Sequence, residues 1–395
     1  IKAALSRLGG PEKNMGTVVH IAGSTGKTSS ACMTAAALSA CGWRTGLYTS
    51  PHVRTMRERI QLDGQPVKEK EFFELFLRIE SLNAGELSFF ETLTAMAFLY
   101  FSEKKARFSV VEAGLGGRLD ATNAARGDVA GITSVSLEHL ALLGPGLRNI
   151  AAHKAGIIKG GAAVLAGPLP PEALRVVRRR ASALRARLQR PPALAPRAAV
   201  ALAGAGSFQL ANAAFALEAA ALAAGRAGLK FSPARAVPVL KRALPPGRFE
   251  RFTLAGRRVI LDGAHNAEGM AALLKDLAGT RPVCVAAFMA DKAVADLAGL
   301  LAASAERLIL TRSLSYRSAD PSAVRGLLPP ALRRKTLVVP APLAALRRAA
   351  ALAPAGGTVL VAGSLYLAGD VLAGLRGGRA FHPREMLVGP NVVKY

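Results

Sequence analysis

No stretch of this chain restricts its fold more tightly than His20-Ile21-Ala22-Gly23-Ser24-Thr25-Gly26-Lys27-Thr28-Ser29. An apolar run over 17–22 feeds a loop bracketed by glycines, and the loop opens directly into a helix-forming segment. Such a loop turns backbone N–H groups inward, the helix offers its positive N-terminus, and Lys27 adds a point charge that reaches terminal phosphates. The arrangement predicts a phosphate cradle for ATP or GTP. The spacing is tighter than G-x-x-x-x-G-K-[ST], because Gly23 stands three residues before Gly26 rather than five. A glycine-rich strand-to-helix turn with an exposed lysine fits the loop alone equally well, so its context decides.

That context is an alternation of strand-like and helix-like runs, which predicts an α/β chain built on parallel sheets. Strands are expected at 17–22, 45–48, 108–112, 129–135 and 162–166, with helices at 27–39, 70–81, 90–102, 147–155 and 211–224. After the breaker Leu244-Pro245-Pro246-Gly247-Arg248 a second strand–helix series starts, with strands at 258–261, 283–288, 308–311, 336–339 and 358–362. A length of 395 residues exceeds what one core usually supports. The expected organisation is an N-terminal P-loop ATPase-like domain over 1–246 and a smaller C-terminal Rossmann-like α/β domain over 247–395. The Pro/Ala stretch 191–196 reads as a loop.

Three cysteines, Cys32, Cys41 and Cys284, form no C-x-x-C pair and stand apart from histidine, which argues against zinc and against a disulfide framework. No uninterrupted apolar segment of about 18 residues is apparent, and the first residues lack a signal-peptide core, so no membrane segment and a cytoplasmic location are expected. The formal charge of +26 raises the question of nucleic acid, as does the crowding of Arg175, Arg178, Arg179, Arg180, Arg185, Arg187, Arg190 and Arg197. Aromatics do not interleave with that run to make a stacking surface, so the expectation is the solvated face of a helix and no nucleic-acid partner.

Nucleotide chemistry in open α/β sheets is done where strands end. Glu112 closes the strand 108–112 and leads into a glycine-rich loop, where a carboxylate can hold Mg²⁺ against phosphates. His139 follows the strand expected to end near Val135.

The composite of motifs resembles the folylpolyglutamate synthase/dihydrofolate synthase family of the Mur ligase superfamily over nearly the whole chain. The phosphate loop is similar to the family's G-T-N-G-K-G-S. Leu47-Tyr48-Thr49-Ser50-Pro51-His52 with Arg57-Glu58-Arg59-Ile60 resembles L-Y-T-S-P-H…R-E-R-I, and Ser88-Phe89-Phe90-Glu91-Thr92-Leu93-Thr94 resembles T-F-F-E-x-L-T. Gly114-Leu115-Gly116-Gly117-Arg118-Leu119-Asp120-Ala121-Thr122-Asn123 matches G-L-G-G-R-L-D-A-T-N throughout. Lys154-Ala155-Gly156-Ile157-Ile158-Lys159, Pro246-Gly247-Arg248-Phe249-Glu250, Asp262-Gly263-Ala264-His265-Asn266 and Gly363-Ser364-Leu365-Tyr366-Leu367 follow in family order.

The resemblance implies ATP-dependent amide ligation: a pterin-bearing carboxylate becomes an acyl phosphate and the amine of L-glutamate displaces phosphate. It places ATP on Ser24, Thr25, Gly26, Lys27, Thr28 and Ser29, with further contacts from Asn212, Arg248, Asp262 and His265. Two Mg²⁺ sites are implied, Ser50 and Glu112 holding one and His139 helping to hold the other. Lys154 matches a lysine that is carbamylated in the family, and Lys27, Lys154, His139 and Glu112 form the implied catalytic set. Ser88, Phe89, Phe90, Arg118 and Asp120 are expected near the pterin or folate; a helix start packing on the sheet fits Phe89 and Phe90 as well. A monomer is implied.

The chain departs from the family pattern at Thr25 (Asn), Thr28 (Gly), Glu138 (Asp), His153 (Glu) and Phe208 (His), and it begins close to the phosphate loop, from which shortened N-terminal elements are expected. Thr28 brings the loop nearer the G-K-T of peptidoglycan ligases, which keeps open a Mur-type amino-acid ligase acting on a UDP-linked acid. The substitutions at Thr25, His153 and Phe208 keep open a catalytically silent nucleotide-binding protein.

Overall fold

The computed structural model describes residues 1–83 and 86–378. Residues 379–395 of the expected second domain lie outside the described residues. The described residues form two compact units, one comprising Ile1–His52 and Met56–Pro245, the other Val53–Thr55 and residues 246–378.

The first unit carries β1 (Thr17–Ala22), β2 (Thr45–Tyr48), β3 (Ile60–Leu62), β4 (Gln65–Pro66), β5 (Phe108–Glu112), β6 (Val129–Ile132), β7 (Ala163–Ala166) and β8 (Arg187–Gln189). Their order is β4-β3-β2-β5-β1-β6-β7-β8, parallel from β2 to β8, with β3 and β4 added antiparallel at one edge. Along β1 the chain is buried from Val18 to Ala22, as expected of a parallel strand covered on both faces. Period-two alternation divides its residues: Ile21, Val129 and Leu165 join one core cluster, whereas Ala22, Ala130 and Val164 join another. The first cluster includes Ala31 and Ala35 from helix Lys27–Ala40 and Ala213, Ala216, Ala219, Ala220 and Ala223 from helix Phe208–Arg226. Small side chains on both surfaces let these helices pack against each other, and that packing seats the helix of the phosphate loop.

By length and composition alone the 19-residue helix Phe208–Arg226 passes for a membrane span, but Gln209, Asn212 and Glu218 interrupt its apolar run. Alanine raises its hydropathy without bulk, and here its alanine face lies in the core. The arginine run divides as helical periodicity dictates: helix Pro171–Ala183 buries Ala173, Val177 and Ala181, while Arg175, Arg178, Arg179 and Arg180 are exposed.

The second unit carries β9 (Glu250–Leu254), β10 (Arg257–Leu261), β11 (Val283–Ala286), β12 (Arg307–Leu310), β13 (Thr336–Val338) and β14 (Thr358–Ala362), in the order β13-β12-β11-β14-β10-β9. Only β9 is antiparallel, paired in a hairpin with β10. Val259, Leu261, Val285, Ile309 and Val361 from its strands pack with Leu346, Ala349 and Val371 from its helices.

Candidate active site

The phosphate loop leaves β1 at the point where the chain's later strands divide to either side, β5 on one flank and β6 on the other. This is the crevice where open α/β sheets bind nucleotides. Gly26 takes φ 78°, a left-handed conformation that glycine adopts at little cost, and a Cβ there would lie 2.3 Å from Asn212 Oδ1. At Gly23 a Cβ would lie 1.9 Å from Thr133 Oγ1. Both glycines are therefore required by close approach, and the Asn212 side chain lies against the loop.

The outer flank of the loop is fastened to the segment after β6. Ser24 N donates to Ser134 O (3.0 Å), Ser136 N to Ser24 Oγ (2.9 Å), Thr25 N to Ser134 Oγ (2.8 Å) and Thr133 Oγ1 to Thr25 O (2.6 Å). Thr25 thus has a structural role of its own, since its hydroxyl also lies 2.9 Å from Ser134 Oγ. Among the described residues no side chain caps the N-terminus of helix Lys27–Ala40, so its first-turn N–H groups are suited to an anion. Lys27 arches back over the loop, its Nζ donating to Gly23 O at 2.8 Å.

Glu112, 1 % exposed at the end of β5, joins three elements. Its Oε1 accepts from Thr28 Oγ1 at 2.8 Å and its Oε2 from Ser50 N at 3.0 Å. The Thr28 departure therefore supplies a donor that a glycine lacks. Carboxylate and hydroxyl oxygens beside a phosphate loop form a donor set suited to a hard divalent cation. His139 does not share this enclosure: it is exposed, with φ 49°, at the head of the short helix Leu140–Leu143. Among the described residues no group of three or more His, Cys, Asp or Glu side chains forms a metal-binding cluster.

Lys154, 1 % exposed on helix Gly146–Ala155, has its Nζ 2.7 Å from Glu138 Oε1. Burial pushes the Glu138 carboxyl up, but Lys154 and Lys27, with hydrogen bonding from Lys154 and Ser24, hold it below its ordinary value. Glu138 thus connects the loop to Lys154. Sequence reading missed this role and marked the residue only as a departure; its signal was an acid 16 residues before an implied catalytic lysine.

The residues expected near the pterin divide in two. Phe90 is half-buried, its ring 5.9 Å from that of Tyr48, and a Cβ on Gly114 would lie 2.6 Å from Phe90 Cζ. Phe89 stacks under the Arg59 guanidinium at 5.4 Å. The Phe90 ring meets the glycine-rich loop after β5. Ser88 instead forms a capping box with Glu91 at the start of helix Phe89–Glu103. Asp120 faces its own loop, accepting from Leu115 N (2.8 Å), Thr122 N (3.0 Å) and the Thr122 hydroxyl. Burial pushes its carboxyl up. Arg118 is exposed, and its backbone N–H donates to His153 O.

In the second unit, Asp262 at the end of β10 is 4 % exposed and accepts from Phe249 N and Ala264 N, both at 2.8 Å. Burial pushes its carboxyl up, and the opposing pull of Arg248 and these amides does not cancel the rise. The acid ties the turn bearing Arg248 to the loop bearing His265, whose Nδ1 lies 2.9 Å from Gly263 O.

Comparison with known proteins agrees with this layout. Residues 21–165 match the Mur ligase middle domain, and residues 247–365 match the Mur ligase, glutamate ligase domain. The folylpolyglutamate synthase of Lacticaseibacillus casei is 31 % identical over 360 residues, covering 83 % of this chain and 82 % of that protein. The dihydrofolate synthase/folylpolyglutamate synthase of Bacillus subtilis is 39 % identical over 189 residues, covering 46 % of this chain and only 44 % of that protein. Mycobacterium tuberculosis folylpolyglutamate synthase complexed with ADP superposes with a TM-score of 0.87 at 29 % identity, covering 96 % of this chain and 94 % of that one. A bifunctional folylpolyglutamate synthase/dihydrofolate synthase with Mn, AMPPNP and L-glutamate bound gives 0.81 at 28 % identity, covering 95 % and 93 %. The chain belongs to the folylpolyglutamate synthase/dihydrofolate synthase family of the Mur ligase superfamily.

Proposed function

We propose that this protein is an ATP-dependent ligase that adds L-glutamate to dihydropteroate, to a reduced folyl(poly)glutamate, or to both. The observation that carries this reading is the junction of Thr28, Glu112 and Ser50 at the phosphate loop. A carboxylate is a poor electrophile. Its oxygen attacks the γ-phosphorus of ATP, ADP leaves, and the acyl phosphate is then attacked by the glutamate amine, which loses a proton as phosphate departs. Lys27 and the first-turn N–H groups of the loop helix stabilise charge on the transferring phosphoryl group. Ser50 and Glu112 would hold a Mg²⁺ ion, which would supply neutralisation of phosphate charge, and His139 would help to hold a second. Asn212, Arg248, Asp262 and His265 complete the nucleotide contacts, with 1–246 acting as the ATP-binding domain and 247–395 as the ligase domain. Phe89 and Phe90 provide apolar surface for the pterin.

Carbamylation of Lys154 is part of the proposal, and it requires the Lys154–Glu138 ion pair to open, because a carbamate beside Glu138 places two anions together. Bicarbonate dependence of the rate tests that part. The protein is read as a cytoplasmic monomer acting on small molecules, without a nucleic-acid or membrane partner.

The deciding assay is phosphate release from ATP, Mg²⁺ and L-glutamate with dihydropteroate, tetrahydrofolate or a UDP-muramoyl acid in parallel. Release with either pterin supports the proposal and shows which step is performed. Release with the UDP-linked acid alone moves the protein to the cell-wall branch, and release with none makes it a silent nucleotide binder.

A further inference from the structure

A histidine is out of place in an interior strand of a sheet covered on both faces. His20 lies in β1 between Val19 and Ile21, is 0 % exposed, and its Nδ1 has no hydrogen-bond partner among the described residues. An apolar side chain would fill that place without stranding a buried nitrogen, so packing alone does not call for an imidazole. What the ring supplies is its other nitrogen: Nε2 lies 2.8 Å from Thr122 Oγ1, in the glycine-rich loop after β5. Period-two alternation puts His20 on the face of β1 that carries Ala22, whereas Val19 and Ile21 on the opposite face pack with Ala31 and Ala35 of helix Lys27–Ala40. The imidazole therefore serves the loop after β5 and not the helix of the phosphate loop.

The hydrogens of this contact run in one direction. The Thr122 hydroxyl has a single hydrogen, and it is committed to Asp120 Oδ1. Its oxygen is then the acceptor toward His20, and Nε2 carries the ring proton. Burial, with the charge of Lys159 adding to it, pushes the imidazole down to about 3, so the ring is neutral and Nδ1 bears the lone pair. From His20 the chain of contacts passes through Thr122 to Asp120, which ties the end of the loop to its start by accepting from Leu115 N at 2.8 Å. Leu115 follows Gly114, where a Cβ would lie 2.6 Å from Phe90 Cζ. A second clamp holds the next residue: Lys159 Nζ donates to Asn123 Oδ1 (2.7 Å) and Asn123 O (3.2 Å). Lys159 thus fixes Asn123, and His20 fixes the path through Thr122, Asp120 and Leu115 that ends against Phe90.

We propose that His20 is a positioning residue for the pterin-bearing substrate: from the core of the sheet it holds, through Thr122 and Asp120, the loop wall against which Phe90 is set. The inference rests on the reading of Phe90 as pterin surface. Its test is steady-state kinetics of the full chain with each substrate varied in turn. His20→Ala is expected to raise the KM for the pterin about 5-fold or more, the scale of one lost hydrogen bond, while the KM values for ATP and L-glutamate stay within about twofold. His20→Gln, whose amide donates from the place of Nε2, is expected to recover most of that loss, whereas His20→Asn, whose amide reaches only as far as Nδ1, is not. Thr122→Val removes the hydroxyl from the other side of the contact and is expected to match His20→Ala; it serves as the test where the histidine variants fail to fold. An unchanged pterin KM in the folded variants overturns the proposal, as does an equal rise for all three substrates or an equal defect in the Gln and Asn variants. Phe90→Ala, run alongside, tests the reading beneath it: an unchanged pterin KM there removes the pterin surface, and the proposal falls with it.

Discussion

The two units present groups suited to an anion by different means. In the first, the phosphate loop offers backbone N–H groups at a helix N-terminus, and the buried acid Glu112 gathers Thr28 and Ser50 beside it. In the second, the arginines Arg248 and Arg317 are presented by loops that the buried acids Asp262 and Asp370 tie down through backbone amides. Backbone donors have a fixed reach and suit a phosphate that always sits in one place. Guanidinium groups have long stems and need bracing before they recognise anything. The comparison predicts that Glu112 acts chiefly on catalysis and that Asp262 and Asp370 act chiefly on loop order.

The strongest test of that division is Glu112→Ala. It is expected to lower kcat by about 10³-fold or more, in the range of lost transition-state electrostatics, with thermal unfolding close to wild type. Normal turnover removes the role assigned to this acid. Asp262→Ala is expected to act in the opposite sense, mainly on stability. It strands two buried N–H groups, at about 1–3 kcal/mol each, which chemical denaturation measures. A loss of activity with undiminished stability blurs the division between the units.

Glu138→Gln sharpens the comparison through pH. The folded-state carboxyl lies below its ordinary value of 4.5, so its stabilising contribution is present above that value and lost as pH falls through the lowered folded one. The variant is expected to unfold with a flatter pH dependence on the acid side, read from denaturant midpoints between neutral and acid pH. An unaltered acid limb means the pair with Lys154 contributes nothing to stability. The smallest effect is expected from Thr28→Ala, which removes one hydroxyl donor from Glu112. A loss of about 1 kcal/mol or less in transition-state stabilisation corresponds to a rate change of a few-fold, restored by Thr28→Ser.

Much of this was legible in the residues. The buried parallel strands announce themselves as apolar runs, so β1, β2, β5 and β14 fall where the pattern puts them, and the strand expected over 129–135 ends at Ile132 because Thr133, Ser134 and Ser136 bind the phosphate loop instead. Edge elements were not legible. The short strands β3, β4 and β8 mix polar and apolar residues, and pairing rather than local pattern defines them. In the site, the loop motif located Lys27 and Glu112, but no spacing rule shows that Asp120 faces its own loop or that Asp370 anchors a loop 56 residues away. Those facts depend on side-chain direction, which only packing fixes.

In the proposed reaction the phosphate loop of the first unit activates a pterin-bound carboxylate for amide formation with glutamate. Mass spectrometry of the pterin product, taken alongside phosphate release, tests it directly. One glutamyl residue is expected to be added for each phosphate released. ATP hydrolysed without glutamyl transfer to any pterin would contradict it.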